Sequence, residues 1–123
     1  MKQICSSFDQ YGVQAYICGH EHDLQVIRPK DRFTTQFLTG AGSEVRPTGQ
    51  REGTLFAAAE PGFMAFTIAG ETMLIQTIQA KNGTAKLLKS ITIKSNNYIL
   101  QHKKNEIKIY FIRISSFDTS NVM

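Results

Sequence analysis

The sequence predicts an α/β (α+β) chain made mostly of strands, on three observations. One helical pattern opens it. A series of short apolar runs, bounded by Gly, Pro, Asn or Asp, follows. The dipeptide Asn82-Gly83, a strong hairpin-turn signal, lies between two of the later runs.

Residues 2–11 read as the helix, because Ile4, Phe8 and Tyr11 recur at helical spacing and Gly12 stands where a helix-terminating glycine belongs. Residues 13–18 read as a buried strand between glycines, and residues 24–27 as a second strand. Arg28-Pro29-Lys30-Asp31-Arg32 is a charged turn. A third strand over 34–39 runs into Gly40-Ala41-Gly42-Ser43, and the polar stretch 45–53, with Pro47 and two glycines, reads as a surface loop. From Gly62 the pattern becomes a β-meander: a strand over 63–68, a turn at Ala69-Gly70-Glu71, a strand over 73–78, and a partner over 85–93 beyond Asn82-Gly83. This predicts one helix and five or six mostly antiparallel strands, with Phe33, Phe37, Phe56, Phe63 and Phe66 as core packing.

Charge divides the chain unevenly. Residues 1–93 hold nine Lys and Arg against eight Asp and Glu, a balance of +1, whereas residues 94–123 hold five against two, a balance of +3. We therefore expect a domain over 1–94 and a basic tail extension over 95–123 that contains no glycine or proline. A nearly neutral body argues against nucleic-acid binding, which calls for a concentrated basic face. No apolar run approaches the roughly 20 residues that span a bilayer, and the N-terminus lacks the apolar core of a secretory signal. Cys5 and Cys18 form no Cys-x-x-Cys motif and read as buried free thiols.

The chemistry-bearing motif is Gly19-His20-Glu21-His22, directly after the strand over 13–18. Imidazoles suit zinc, iron and copper. Loops at the carboxyl ends of strands are where α/β sheets place their sites. Gly19 is expected to allow the tight turn that aims both rings at one point, or at two ions about 3.5–4 Å apart. A His-x-His pair alone is weak, since two surface histidines at alternate positions also arise by chance. Spacing sets other metal motifs aside. A zinc deaminase needs a later Pro-Cys-x-x-Cys. A zincin needs His-Glu-x-x-His. A cupin-like site needs a glutamate shortly after the pair, where Val26 and Ile27 stand.

The segment Ala15-Tyr16-Ile17-Cys18-Gly19-His20-Glu21-His22-Asp23-Leu24-Gln25 resembles the last metal-binding motif of the calcineurin-like metallophosphoesterases. It is most similar to that of their tartrate-resistant (purple) acid phosphatase branch, which carries Gly-His-Asp-His-Asn-Leu-Gln there. Phe37-Leu38-Thr39-Gly40-Ala41-Gly42-Ser43 resembles the following strand and turn, and Phe63-Met64-Ala65-Phe66-Thr67-Ile68 the strand that starts the closing hairpins. The resemblance covers roughly residues 2–93. It implies the C-terminal part of a metallophosphoesterase β-sandwich flanked by helices, and a phosphoric monoester hydrolase working through a binuclear centre of divalent or trivalent ions (Fe, Zn or Mn). His22 would be a metal ligand there, and His20 a ligand or close neighbour. Glu21 and Asp23 would be supporting or phosphate-binding residues, although the bland readings are a solvated Glu21 and a turn-capping Asp23.

The upstream aspartate, asparagine, histidine and tyrosine ligand segments of that family have no counterpart here, and Asp9 and Tyr11 match none of their motifs. Two imidazoles are thus expected to hold at most one ion weakly, and the chain to be an incomplete fragment with little or no phosphatase activity. The alternative is a catalytically inactive β-rich fragment or interaction module. Arg28, Arg46 and Arg51 are loop cations with a possible phosphate role and a commoner solvated one. His102, in the tail, is not expected to be a ligand. The partners implied are a phosphomonoester in the whole family and no membrane. Apolar sheet surface left uncovered predicts self-association.

Overall fold

A computed structural model describes residues 2–94, with side chains from Ser6 onward. The tail over 95–123, with His102, and the Cys5 side chain lie outside the described residues. The elements run α1 (Lys2–Gln10), β1 (Ala15–Cys18), β2 (Leu24–Ile27), β3 (Thr35–Thr39), β4 (Thr54–Ala58), β5 (Gly62–Ala69), β6 (Thr72–Lys81) and β7 (Thr84–Lys94). Seven described strands replace the five or six expected; the added one is β4.

α1 ends as its glycine predicts. Gly12 adopts φ 66°, and the Val13 N–H donates to the Phe8 carbonyl (2.9 Å) while that of Gly12 donates to Asp9 (3.2 Å). This paired closure satisfies carbonyls that a helix end leaves without partners. Phe8 stacks at a tilt on Tyr16, ring centroids 5.3 Å apart, which seats the helix against β1.

The first sheet has the order β1-β3-β2-β4, and the second the order β5-β6-β7. β1 runs parallel to β3, with Ile17 opposite Phe37; β2 is antiparallel to both β3 and β4. The expectation of a buried strand over 13–18 is corrected here. β1 is the edge of its sheet and each of its residues is half-buried, whereas β2 and β3, in the middle, supply the core. In the second sheet β5, β6 and β7 form an antiparallel meander, and Asn82 and Gly83 take positive φ (52° and 72°) in its second turn. Those angles match the mirror-image turn that follows strand twist.

Leu24, Val26 and Phe37 from the first sheet, with Ala41 from the turn after β3, close on Met64 and Ile75 from the second, forming one core. Phe37 meets Phe66 edge-on at 5.5 Å and 87°, an arrangement that opposes positive ring edge to negative face. Phe63 departs from the core role expected of it. It is 48% exposed, because Met64 and Phe66 take the inward alternation of β5. On the outer face, register lines up Phe63, Ile78 and Leu87 across three strands, with Leu87 52% exposed. The architecture is two sheets of mostly antiparallel strands with little helix.

Candidate functional site

Both histidines lie in the connection from β1 to β2. His20 is exposed and has φ 83°, an angle rarely taken by a residue with a side chain, though His adopts it more often than most. The left-handed residue of this turn is thus His20. Gly19, expected to provide it, has a negative φ and open space around it. The glycine that permits close approach is Gly40, at the end of β3, where a Cβ would overlap the Glu21 carbonyl.

Backbone bonds tie the histidine loop to the turn after β3. The Gly40 N–H donates to the Asp23 carbonyl (3.1 Å), and the Arg46 N–H donates to that of His22 (2.9 Å). The Ala41 carbonyl in turn accepts from the Gly62 N–H at the start of β5 (3.1 Å). The sequence Gly40-Ala41-Gly42 therefore props the histidine loop on one side and the meander on the other.

His22 is 27% exposed, and its Nδ1 is buried without a hydrogen-bond partner. The Glu44 carboxylate lies 3.6 Å from that nitrogen, and an Arg46 guanidinium nitrogen lies 3.8 Å from the same carboxylate oxygen. Asp23 is almost wholly buried. Its Oδ2 accepts from the Gln25 amide at 2.6 Å and its Oδ1 has no partner, so it faces a neighbouring side chain rather than backbone donors of the turn. Glu21 is exposed. Glu21, Asp23, Gln25, Thr48 and Arg51 line a shallow cleft of about 360 Å³ beside the histidine loop. Arg51 thus shares a cleft with two of the predicted site residues. Arg46 stands by Glu44, and Arg28 lines a different cleft with Arg32 and Lys94. Glu44 was not anticipated from the sequence; its only signal is its place just after the Gly-Ala-Gly turn.

Asp9 is structural. It binds the Arg32 guanidinium (2.8 Å) and accepts from the Phe33 and Thr34 N–H groups (3.1 and 3.0 Å). Burial works against its charge, but the Arg32 hydrogen bond and the Thr34 and Phe33 donors together outweigh it and hold the carboxyl below its ordinary range. Tyr11 is 76% exposed. Cys18 is a free, half-buried thiol whose pKa burial pushes up, against a hydrogen bond from Gln36. Among the described residues no three His, Cys, Asp or Glu side chains gather as a metal site requires. The described donors therefore do not make a binuclear set.

The two sheets with little helix match a β-rich part of a metallophosphoesterase-like fold. Its architecture is similar to that of GAP50, the anchor in the inner membrane complex of Plasmodium, with a TM-score of 0.66 over 76% of this chain and 29% of that one, at 18% identity. In sequence the chain is similar to the tartrate-resistant acid phosphatase type 5 of the rabbit, Oryctolagus cuniculus, at 32% identity over 65 residues. That alignment takes in 53% of this chain and 18% of the relative. No protein-family model matches. The chain thus spans less than a third of either relative's length, and the likeness to an acid phosphatase is a partial one.

Proposed function

We propose that this chain is the His-x-His-bearing part of an acid-phosphatase-like metallophosphoesterase, and that His20 and His22 hold one ion of its metal centre weakly. The observation that carries the reading is the bracing of the histidine loop. Gly40 admits the Glu21 carbonyl, and the Arg46 and Gly40 N–H groups bond the carbonyls of His22 and Asp23, so the loop backbone from Glu21 to Asp23 is held close to a strand end. Two metal ions in the complete family supply Lewis acidity to a phosphoester. This chain's own contribution is to bind and orient. Among the described residues no carboxylates gather to hold a pair of ions, so in this reading phosphomonoester hydrolysis belongs to a longer assembly and the chain alone turns over little or no substrate.

The test is metal content and affinity of the full chain, with His20→Ala/His22→Ala as control. We expect up to one equivalent of Zn, Fe or Mn, lost in the double variant, and no metal-dependent hydrolysis of an aryl phosphate. Equal metal uptake by chain and variant would refute the reading, as would appreciable turnover by the chain.

A second reading, an inactive interaction module, is favoured by the outer row Phe63, Ile78 and Leu87. A cross-strand apolar row turned away from the core fits association with a second copy of the chain.

A further inference from the structure

A second cleft, of about 270 Å³, opens at the end of the first sheet opposite the histidine loop. Strand direction places it there. β1 and β3 run parallel, so Gln14 and Phe33, which precede them, lie at the end away from His20 and Gly40, and antiparallel β2 delivers Arg28 to that same end. The last residues of β7 join them from the second sheet, where the Gln14 side-chain amide donates to the Lys94 carbonyl at 3.4 Å. Arg28, Arg32 and Lys94 line the cleft, and no carboxylate does. Asp9 holds an Arg32 nitrogen at 2.8 Å, which offsets that charge and ties the guanidinium to α1. Arg28 and Lys94 are exposed, and among the described residues neither has an ion-pair partner. Asp31, Glu52 and Glu71, on the adjoining turns, are exposed and stand outside the lining. Buried Thr35 and half-buried Phe33 and Ile93 complete the wall. A recess with one sign of charge on low-dielectric walls focuses its field and draws in ions of the opposite sign.

We propose that this cleft binds a phosphate group, free or carried by a small phosphomonoester, through Arg28 and Lys94 with Arg32 beside them. A guanidinium fork matches two phosphate oxygens at once, and an ammonium adds a compact charge. The volume lies below the roughly 300–1,000 Å³ of pockets that enclose drug-sized ligands, so the cleft admits a phosphate group and little more. Phe33 and Ile93 offer the apolar surface on which a small ester group would rest. The proposal is independent of the metal reading, because His20 and His22 take no part in it.

The experiment is a titration of the metal-free full chain with inorganic phosphate at constant ionic strength, read by ¹H–¹⁵N amide correlation, with sodium chloride as the matched salt. Expected are saturable shifts at the amides of Arg28, Thr35 and Ile93, absent from the chloride series and from the histidine loop. Arg28→Ala/Lys94→Ala should weaken phosphate binding by about tenfold or more, and Arg28→Lys by less, since it keeps the charge and loses the fork. Lys86→Ala, at the far end of β7, should bind as the unaltered chain does. An unchanged spectrum elsewhere in each variant shows that the fold is intact. Phenyl phosphate separates the two sources: tighter binding with shifts at Phe33 supports an ester as the ligand, and equal binding supports the free anion. Shifts that do not saturate, shifts that chloride reproduces, or a double variant that binds as well as the unaltered chain would overturn the proposal.

Discussion

Replacing Gly40 by alanine tests the bracing of the histidine loop directly. Gly40 has a negative φ, so an alanine there meets no backbone strain; the whole cost is steric. Its Cβ would overlap the Glu21 carbonyl, and relief requires the two backbones to part by on the order of 1.5 Å to reach an ordinary contact. Overpacking against a rigid neighbour costs about 1–3 kcal/mol. Parting the loops also strains the Gly40–Asp23 and Arg46–His22 backbone bonds, each worth about 1 kcal/mol. The sum is a loss of about 2–4 kcal/mol, a large share of the roughly 5–15 kcal/mol that holds a domain together. Urea unfolding reads it as a midpoint lowered by about 1–2 M at unchanged slope. Gly42→Ala is the matched control: nothing lies within 4 Å of its Cβ position and its φ is ordinary, so its midpoint should barely move. Equal midpoints for the two variants would refute the claim that Gly40 lets the two loops meet.

Asp9→Asn should destabilise the chain at neutral pH by on the order of 1 kcal/mol, since it removes the charge shared with Arg32 and the amides of Phe33 and Thr34. Because the folded-state pKa of Asp9 lies below its ordinary value, this stabilisation is present above about pH 4 and is lost as pH falls through the folded pKa. The gap between chain and variant, followed by denaturation from pH 7 to 3, should therefore stay level and then close; a gap that widens in acid would contradict it. Phe63→Ser/Leu87→Ser should reduce concentration-dependent self-association in sedimentation while leaving the core face of the meander intact. Unchanged association would remove the outer row as its cause.

Strands with strong local signals were legible. β2 and β3 appear where their apolar runs stand, and Asn82-Gly83 marks its turn because its positive φ angles are a property of those two residues. β4 was hidden: Thr54–Ala58 has no clear alternation, is mostly half-buried, and becomes a strand by pairing with β2, a partner some 30 residues away. The edge position of β1 depends on sheet order, which a run of apolar residues does not encode. Phe63 and Met64 are adjacent and both apolar, so the sequence leaves open which of them faces inward; packing against β2 and β3 decides it. At the site, the His-x-His pair could be read directly. The fit of Gly40 under Glu21 and the facing of Glu44 and His22 arise only once two loops, some twenty residues apart, end at the same edge of the sheet.

The turn at Gly40-Ala41-Gly42 has a consequence for how the molecule moves. It is bonded to the histidine loop through Asp23 and to the start of β5 through Gly62, and Ala41 sits within the common core. Surface loops ordinarily open at little cost, ahead of the structure that carries them. The part of this loop around His22 and Asp23 cannot do so without also releasing the turn between the two sheets. The amides of Gly40 and Arg46 are therefore expected to exchange with solvent late, together with those of the core strands and not with the outer turns.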